Sequence, residues 1–265
     1  MFAHQSLDVT RFPNDSASED QIAVEEPVEI RIDGEPLAVT MRTPGDDAEL
    51  AAGFCLTEGV IDHPDEIERV EPCNEADYGN VVLVSLSEGA SRRFGRESHR
   101  RELYLSSSCG LCGTRTLDRL EKRVTPIGHE FTVSPEVLIR LPDDLGRSQE
   151  TFARTGGLHA AGLFTTEGRL RLAREDVGRH NAVDKLIGGL LLSGQLPPGP
   201  FVLLVSGRAS FELIQKSARA GVGFFAAVGA PSSLAVEAAA RFGITLVGFL
   251  RGGRFNVYTG ADRIA

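Results

Sequence analysis

A chain of 265 residues, 42% hydrophobic and 25% charged with 29 glycines, can bury a substantial core as one large domain or two small ones. Its formal charge of −9 argues against nucleic acid as a partner, because such a surface repels phosphate backbones, although a local arginine cluster can still hold one anionic ligand. No run reaches the roughly 18 apolar residues that a membrane span takes, and the start lacks the basic and apolar regions of a secretory signal, so no membrane association and a reducing, cytoplasmic location are expected.

Residues 1–22, with Asn14, Asp15, Ser16, Ser18, Glu19 and Asp20, read as a loose, disordered tail. Val28 to Ile32 and Leu37 to Arg42 predict two strands joined by a turn at Asp33-Gly34. Asp46 is placed to cap a helix through Leu50, Ala51, Phe54 and Cys55 that stops near Gly59. Val81 to Leu86 predicts a strand, and the arginines at 92, 93, 96, 100 and 101 read as a solvated basic face. After a Ser- and Gly-rich stretch from Leu105 to Gly113, Thr114 to Arg123 is a candidate helix.

The second half is more regular. Ser134-Pro135-Glu136 predicts a cap and first turn for a helix to about Leu141. A hairpin over 158–164 and 170–174 follows, then a helix capped by Asn181 with an apolar face of Val183, Leu186, Ile187, Leu190 and Leu191. Strands at 201–205, 224–228 and 244–249 alternate with helices at 209–220 and 233–242, and a last strand runs over 255–259. Continuous apolar strands alternating with helices predict a sheet covered on both faces.

The expected fold class is α/β (α+β). A tail (1–22) precedes a small N-terminal α+β domain (23–105), a mobile Cys-x-x-Cys loop and linker (106–125), and a three-layer α/β domain (126–265) with a cytidine-deaminase-like layout. Zinc deaminases place His/Cys-x-Glu and Pro-Cys-x-x-Cys at two successive helix starts. Here those stretches read His180-Asn181-Ala182 and Ser206-Gly207-Arg208, so no metal-bound water can be built and deamination is excluded.

Cys109 and Cys112 form a glycine-flanked Cys-x-x-Cys, while Cys55 and Cys73 are isolated. Half a zinc site would need two further ligands from Cys55, Cys73, His99 or His129, which are scattered. A thioredoxin-type redox pair would open a helix directly after an early strand. A purely structural pair of cysteines is the fourth use, after a nucleophile with a helper thiol. A free thiol of pKa near 8.5 is only about 3% thiolate at pH 7, and lowering it to about 7 makes it half thiolate. Backbone N–H groups of Gly113, Thr114 and Arg115, with the Arg115 charge, are candidates for that shift. The chemistry favours the nucleophile.

Several segments together resemble one family: 41–47 (MRTPGDD), 53–59, 109–113 (CGLCG), 155–160 (TGGLHA), 174–185 (REDVGRHNAVDK), 206–210 (SGRAS) and 229–234 (GAPSSL). In uninterrupted order from about residue 25 to 260, they resemble the FdhD/NarQ family of formate dehydrogenase accessory sulfurtransferases. The resemblance implies a carrier that takes sulfur from a cysteine desulfurase as a persulfide on Cys109, with Cys112 assisting. It implies transfer to the bis-(molybdopterin guanine dinucleotide) form of the molybdenum or tungsten cofactor, before insertion into apo formate dehydrogenase. It also implies binding of the cofactor's guanine nucleotide part and a homodimer, with no catalytic metal of the protein's own. The alternatives are a cofactor-binding chaperone without sulfur chemistry and a thiol–disulfide oxidoreductase.

A multiply anionic cofactor suits strand-to-helix turns, where helix N-termini offer free N–H groups. Ser206, Gly207 and Arg208 form one candidate turn, and Gly229 to Ser233 another. Phe249, Leu250, Arg251, Gly252, Gly253 and Arg254 form a third candidate, whose two guanidinium groups suit phosphate. Arg179, His180 and His159 are further pocket candidates, and Arg174, Glu175 and Asp176 with Arg179 also read as an ion network.

Overall fold

The computed structural model describes residues 3–13, 16–73, 80–94, 127–128, 131–196 and 198–265. Cys109, Cys112, the candidate helix from Thr114, and the arginines at 96, 100 and 101 lie outside them. No described helix is long and apolar enough to cross a membrane.

The chain opens on a hairpin, β1 (His4–Arg11) and β2 (Ser16–Ala23), paired antiparallel from His4–Ala23 to Arg11–Ser16. This corrects the reading of 1–22 as a loose tail. Polar composition hides the strands because neither face is deeply buried, and Leu7 and Phe12 remain exposed. Backbone pairing and polar contacts such as His4 Nδ1 to Gln21 Oε1 at 2.9 Å hold the register instead.

β3 (Glu26–Ile32) and β4 (Glu35–Arg42) form the expected hairpin, with Asp33 and Gly34 both at positive φ, as a two-residue turn favours. With β5 (Ile67–Pro72) and β6 (Val81–Leu86) they make a four-stranded sheet in the order β4-β3-β6-β5. α1 (Asp47–Thr57) is buried on nearly every side, and a helix apolar all round is one enclosed on both faces. Asp46 stands at its cap position, but its side chain makes no capping bond. α2 (Glu88–Phe94) carries Arg92 and Arg93 in solvent, paired with Glu88 and Glu66.

α3 (Pro135–Arg147) begins at Ser134, whose Oγ accepts the Val137 N–H at 3.3 Å, and it runs through Pro142 past the expected stop. α4 (Glu150–Thr155) was not foreseen. Then follow β7 (His159–Thr165), β8 (Leu170–Asp176), α5 (Arg179–Leu192), β9 (Phe201–Val205) and α6 (Phe211–Arg219). β10 (Phe224–Ala227), α7 (Ser233–Phe242), β11 (Thr245–Arg251) and β12 (Arg254–Thr259) complete the chain.

These strands form one sheet in the order β12-β11-β10-β9-β7-β8, with β9, β10 and β11 parallel. Alternate residues enter two apolar clusters: Leu203, Val205, Phe225 and Leu246 join that of α5, α6 and α7, while Val202, Leu204, Phe224 and Val247 join that of α3. Helices thus cover both faces, the three-layer α/β arrangement expected.

The first apolar cluster also runs through α1 and the four-stranded sheet, so both sheets share one core. The join is made where α1 crosses α5, with Gly53 against the Asp184 backbone and Gly188 against the Glu49 backbone, each close enough for a Cβ to overlap the facing carbonyl.

Candidate cofactor site at the sheet edge

Because β9, β10 and β11 are parallel, their C-terminal ends share an edge with the start of antiparallel β7 and the end of β8. Ligands of open α/β sheets bind at that kind of edge. Backbone bonds tie its turns together. The Gly229 N–H donates to the Gly207 carbonyl at 2.9 Å, and the Phe249 N–H to the Gly229 carbonyl at 2.9 Å. A Cβ on Gly229 would stand 2.9 Å from that Gly207 oxygen, so the approach requires glycine.

The edge gathers most of the residues singled out from sequence. Ser206 is fixed by two bonds: its N–H donates to Ala160 O, and its Oγ accepts the Ala160 N–H, both at 2.9 Å. Gly207 faces His159, since a Cβ there would lie 3.6 Å from His159 Nδ1 and 3.9 Å from Arg179 Cδ. Arg208 is exposed. Arg179 opens α5, and its Nε is buried with no hydrogen-bond partner among the described residues.

Phe249 sits at φ 53 within a register shift between Gly248 and Arg251, a backbone conformation rare for a bulky side chain. The Arg251 guanidinium lies 5.8 Å from the Phe249 ring. Arg251, Gly252, Gly253 and Arg254 form an exposed tip, with both glycines at positive φ. The Leu250 side chain is fully buried in the cluster under α3, so only its backbone can face the edge. A bulge that turns Phe249 outward turns Leu250 inward.

The segment 174–185 divides between scaffold and site. Arg174 Nη2 donates to Glu49 Oε1 at 2.6 Å. The Glu175 carboxylate accepts the N–H groups of Thr151 and Phe152 at 3.0 and 2.8 Å, fixing the start of α4. Asp176 is fully buried and pairs with Lys185 Nζ at 2.8 Å while accepting the Thr43 and Gly178 N–H groups. The ion-network reading therefore fits Arg174 and Asp176, whereas the Glu175 carboxylate binds two backbone N–H groups instead. Arg179 makes no ion pair among the described residues and faces the edge.

Asn181 is a second correction. Gly178 is the cap residue, and Asn181 lies within α5, donating to Met41 O at 2.8 Å and to Asp176 Oδ1 at 3.0 Å. Long-range partners claimed the side chain that local pattern assigned to capping.

Both edge histidines resist protonation. Burial, then the charges of Lys216 and Arg179, lower His180 to about 4, and its Nε2 lies 3.3 Å from Ser210 Oγ. Burial and Arg179 also lower His159. Both imidazoles thus lie within reach of the Arg179 charge. The unfolded chain protonates His180 near pH 6.5, whereas the folded state resists until about pH 4. Its contribution to stability is present above pH 6.5 and is lost as pH falls from there toward 4. Denaturant unfolding across that window will show a slope that His180→Gln makes shallower; an unchanged slope contradicts the assignment.

Beside this edge lies a cleft of about 340 Å³ lined by Gln149, Phe152, Gly156, Gly157, Leu158, His159 and Ser206. Sequence reasoning named His159 and Ser206 but missed Gln149 and Phe152, which sit at the start of a helix of fewer than two turns, too short for a periodic signal. Elsewhere, Cys55 is fully buried in the core, and desolvation pushes its thiol pKa up.

The sequence profile of the FdhD/NarQ family matches residues 23–265. The chain belongs to the FdhD/NarQ family. That match takes in the whole edge, the cleft, Cys109 and Cys112, and leaves β1 outside. A protein of Streptomyces coelicolor named sulfur carrier protein FdhD is 52% identical over 94% of this chain and 91% of its own. One of the same name from Mycobacterium tuberculosis is 50% identical over 92% of this chain and 91% of its own. Among solved structures, a protein from Desulfotalea psychrophila assigned as a formate dehydrogenase accessory protein superposes with a TM-score of 0.76. It is 25% identical, and the match covers 99% of this chain and 98% of that one.

Proposed function

We propose that this chain is a sulfur carrier serving formate dehydrogenase, with Cys109 as the sulfur-bearing nucleophile. The observation that carries the reading is the name sulfur carrier protein on relatives about half identical along nearly their whole length, joined to a Cys-x-x-Cys at 109–112. The Cys109 thiolate attacks the outer sulfur of a cysteine desulfurase persulfide, and the desulfurase cysteine leaves as thiolate. Release of the carried sulfur as sulfide takes two electrons. Cys112 provides them by attacking the inner Cys109 sulfur, closing a disulfide that an external thiol then reduces.

The acceptor in this reading is the bis-(molybdopterin guanine dinucleotide) molybdenum or tungsten cofactor, held as substrate before delivery to apo formate dehydrogenase. Arg179 and Arg208 at the edge, with Arg251 and Arg254 at the hairpin tip, suit its phosphates. The protein acts as a sulfurtransferase in the cytoplasm and as a homodimer. Incubation with a cysteine desulfurase and cysteine, followed by intact-mass analysis, tests it. Wild type is expected to gain one sulfur atom and Cys109→Ala none. No gain in wild type overturns the carrier in favour of a cofactor-binding chaperone.

A further inference from the structure

We infer that Ser210 and Glu212 act as positioning residues that hold the His180 proton on Nε2, so that Nδ1 remains a hydrogen-bond acceptor at the sheet edge. The first sign is a cap that is not made. Ser134 and Ser232 both cap their helices, each accepting the N–H three residues on, at 3.3 and 3.2 Å. Ser210 stands at the same position before α6 with an extended backbone, yet its side chain makes no capping bond. A serine cap contributes about 1 kcal/mol to a helix. Here the hydroxyl is turned to other partners, and its Oγ lies 3.3 Å from His180 Nε2.

A count of protons then fixes the tautomer. A hydroxyl has one hydrogen to give. Against the upward push of burial, the Glu212 carboxylate is held low by its own backbone N–H, by the Ser210 hydroxyl and by nearby positive charge. A carboxylate only accepts, so the Ser210 hydrogen points to Glu212 and an oxygen lone pair faces the imidazole. His180 Nε2 must then be the donor. Glu212 favours the same answer directly: its Oε2 lies 4.0 Å from Nε2, where a carboxylate attracts an N–H and repels a ring lone pair. The bonds run from His180 to Ser210 to Glu212. In a neutral imidazole, a proton on Nε2 leaves Nδ1 bare.

The ring is neutral near pH 7, because burial, with Lys216 from α6 and Arg179 from its own helix, outweighs Glu212 and Glu58. Nδ1 makes no hydrogen bond among the described residues and is not enclosed, so it is the ring nitrogen open to a ligand. Its neighbours along the edge, Arg179, Arg208, Arg251 and Arg254, can only donate. The opposite tautomer would add one more donor to that set. This one supplies an acceptor, for a ligand that carries an N–H or O–H beside its anionic groups.

Long-range proton–nitrogen correlation spectra of the full chain, labelled at the histidine nitrogens and recorded near neutral pH, test the inference. His180→Gln assigns the resonances. Wild type is expected to show a protonated Nε2 and a bare Nδ1 without averaging. Two variants should move both nitrogen shifts toward a mixture of tautomers: Ser210→Ala, and Glu212→Gln, whose amide can donate to the hydroxyl as well as accept from it. Ser210→Thr keeps the hydroxyl and should restore the wild-type pattern, whereas a role in shape alone would leave the tautomer unmoved throughout. Glu212 is exposed and Ser210 half-buried, so the variants should fold, and thermal unfolding checks that they do. A proton on Nδ1 or a mixture in wild type overturns the inference, as does a wild-type pattern in both folded variants. The spectra are those of the free protein, so either result leaves the carrier reading to its own intact-mass test.

Discussion

Gly188→Ala will be severely destabilised, and Gly53→Ala will behave alike. These two residues face each other where α1 crosses α5, the join between the four-stranded sheet and the six-stranded one. Each added methyl would overlap a backbone carbonyl of the opposite helix, Glu49 for Gly188 and Asp184 for Gly53. Overpacking among side chains costs about 1–3 kcal/mol because rotamers can shift. A carbonyl fixed in a helical ladder cannot, so the helices must separate and the shared core must open. A loss of about 4 kcal/mol or more, set against a total of about 5–15 kcal/mol, is expected. Soluble yield and thermal midpoint check it. Gly146→Ala is the control: a Cβ there meets nothing within 4 Å, so the gain in helix propensity, about 0.5–1 kcal/mol, should raise the midpoint slightly. An unchanged midpoint in Gly188→Ala would show that the crossing is looser than described.

The sequence announced the parts of the fold whose signals are local. Phe201-Val-Leu-Leu-Val205 reads as a buried strand because both its faces are covered, and Ser134 caps because its Oγ meets a backbone N–H three residues on. Elements held by distant partners were less legible. α4 has two orphan N–H groups satisfied by Glu175, over twenty residues later, and nothing within 150–155 signals it. The β1–β2 hairpin lacks the apolar alternation that betrays a half-buried strand.

The same division holds for the site. Small residues and arginines at 206–208 and 251–254 flag turns that can approach an anion, and the parallel strands β9 and β11 bring both groups to one edge. The Gln149–Phe152 wall arises only when α4 folds against that edge. The Leu250 side chain faces the core because a register shift, invisible in the residue order, inverts the side chains on either side of it.

Lys216→Met will cost about 3–5 kcal/mol, the expected loss when one member of a buried ion pair is removed. Lys216 Nζ lies 2.9 Å from Asp184 Oδ2, 2.8 Å from Glu58 Oε1 and 2.9 Å from Thr57 Oγ1, with the Phe54 ring centroid at 5.7 Å. The pair therefore fastens α6 to α5 and to the end of α1. Burial already lifts Asp184 to about 6 against the pull of Lys216, and without that cation it rises further. The folded state then binds a proton that the unfolded state, with a carboxylate near 3.9, releases. Stability of the variant is greatest below that unfolded value and falls as pH rises toward the folded one, so the defect is smaller at pH 5 than at pH 8. Lys216→Met/Asp184→Leu should recover most of the loss, because the stranded charge is gone. The pair also reaches the edge: Lys216 is one of the charges that depress His180, so the His180 titration should move upward in Lys216→Met. Denaturant unfolding at both pH values and a proton-resonance titration of His180 measure these effects. A double variant no more stable than the single one would show that the four groups hold the helices by shape and not by charge.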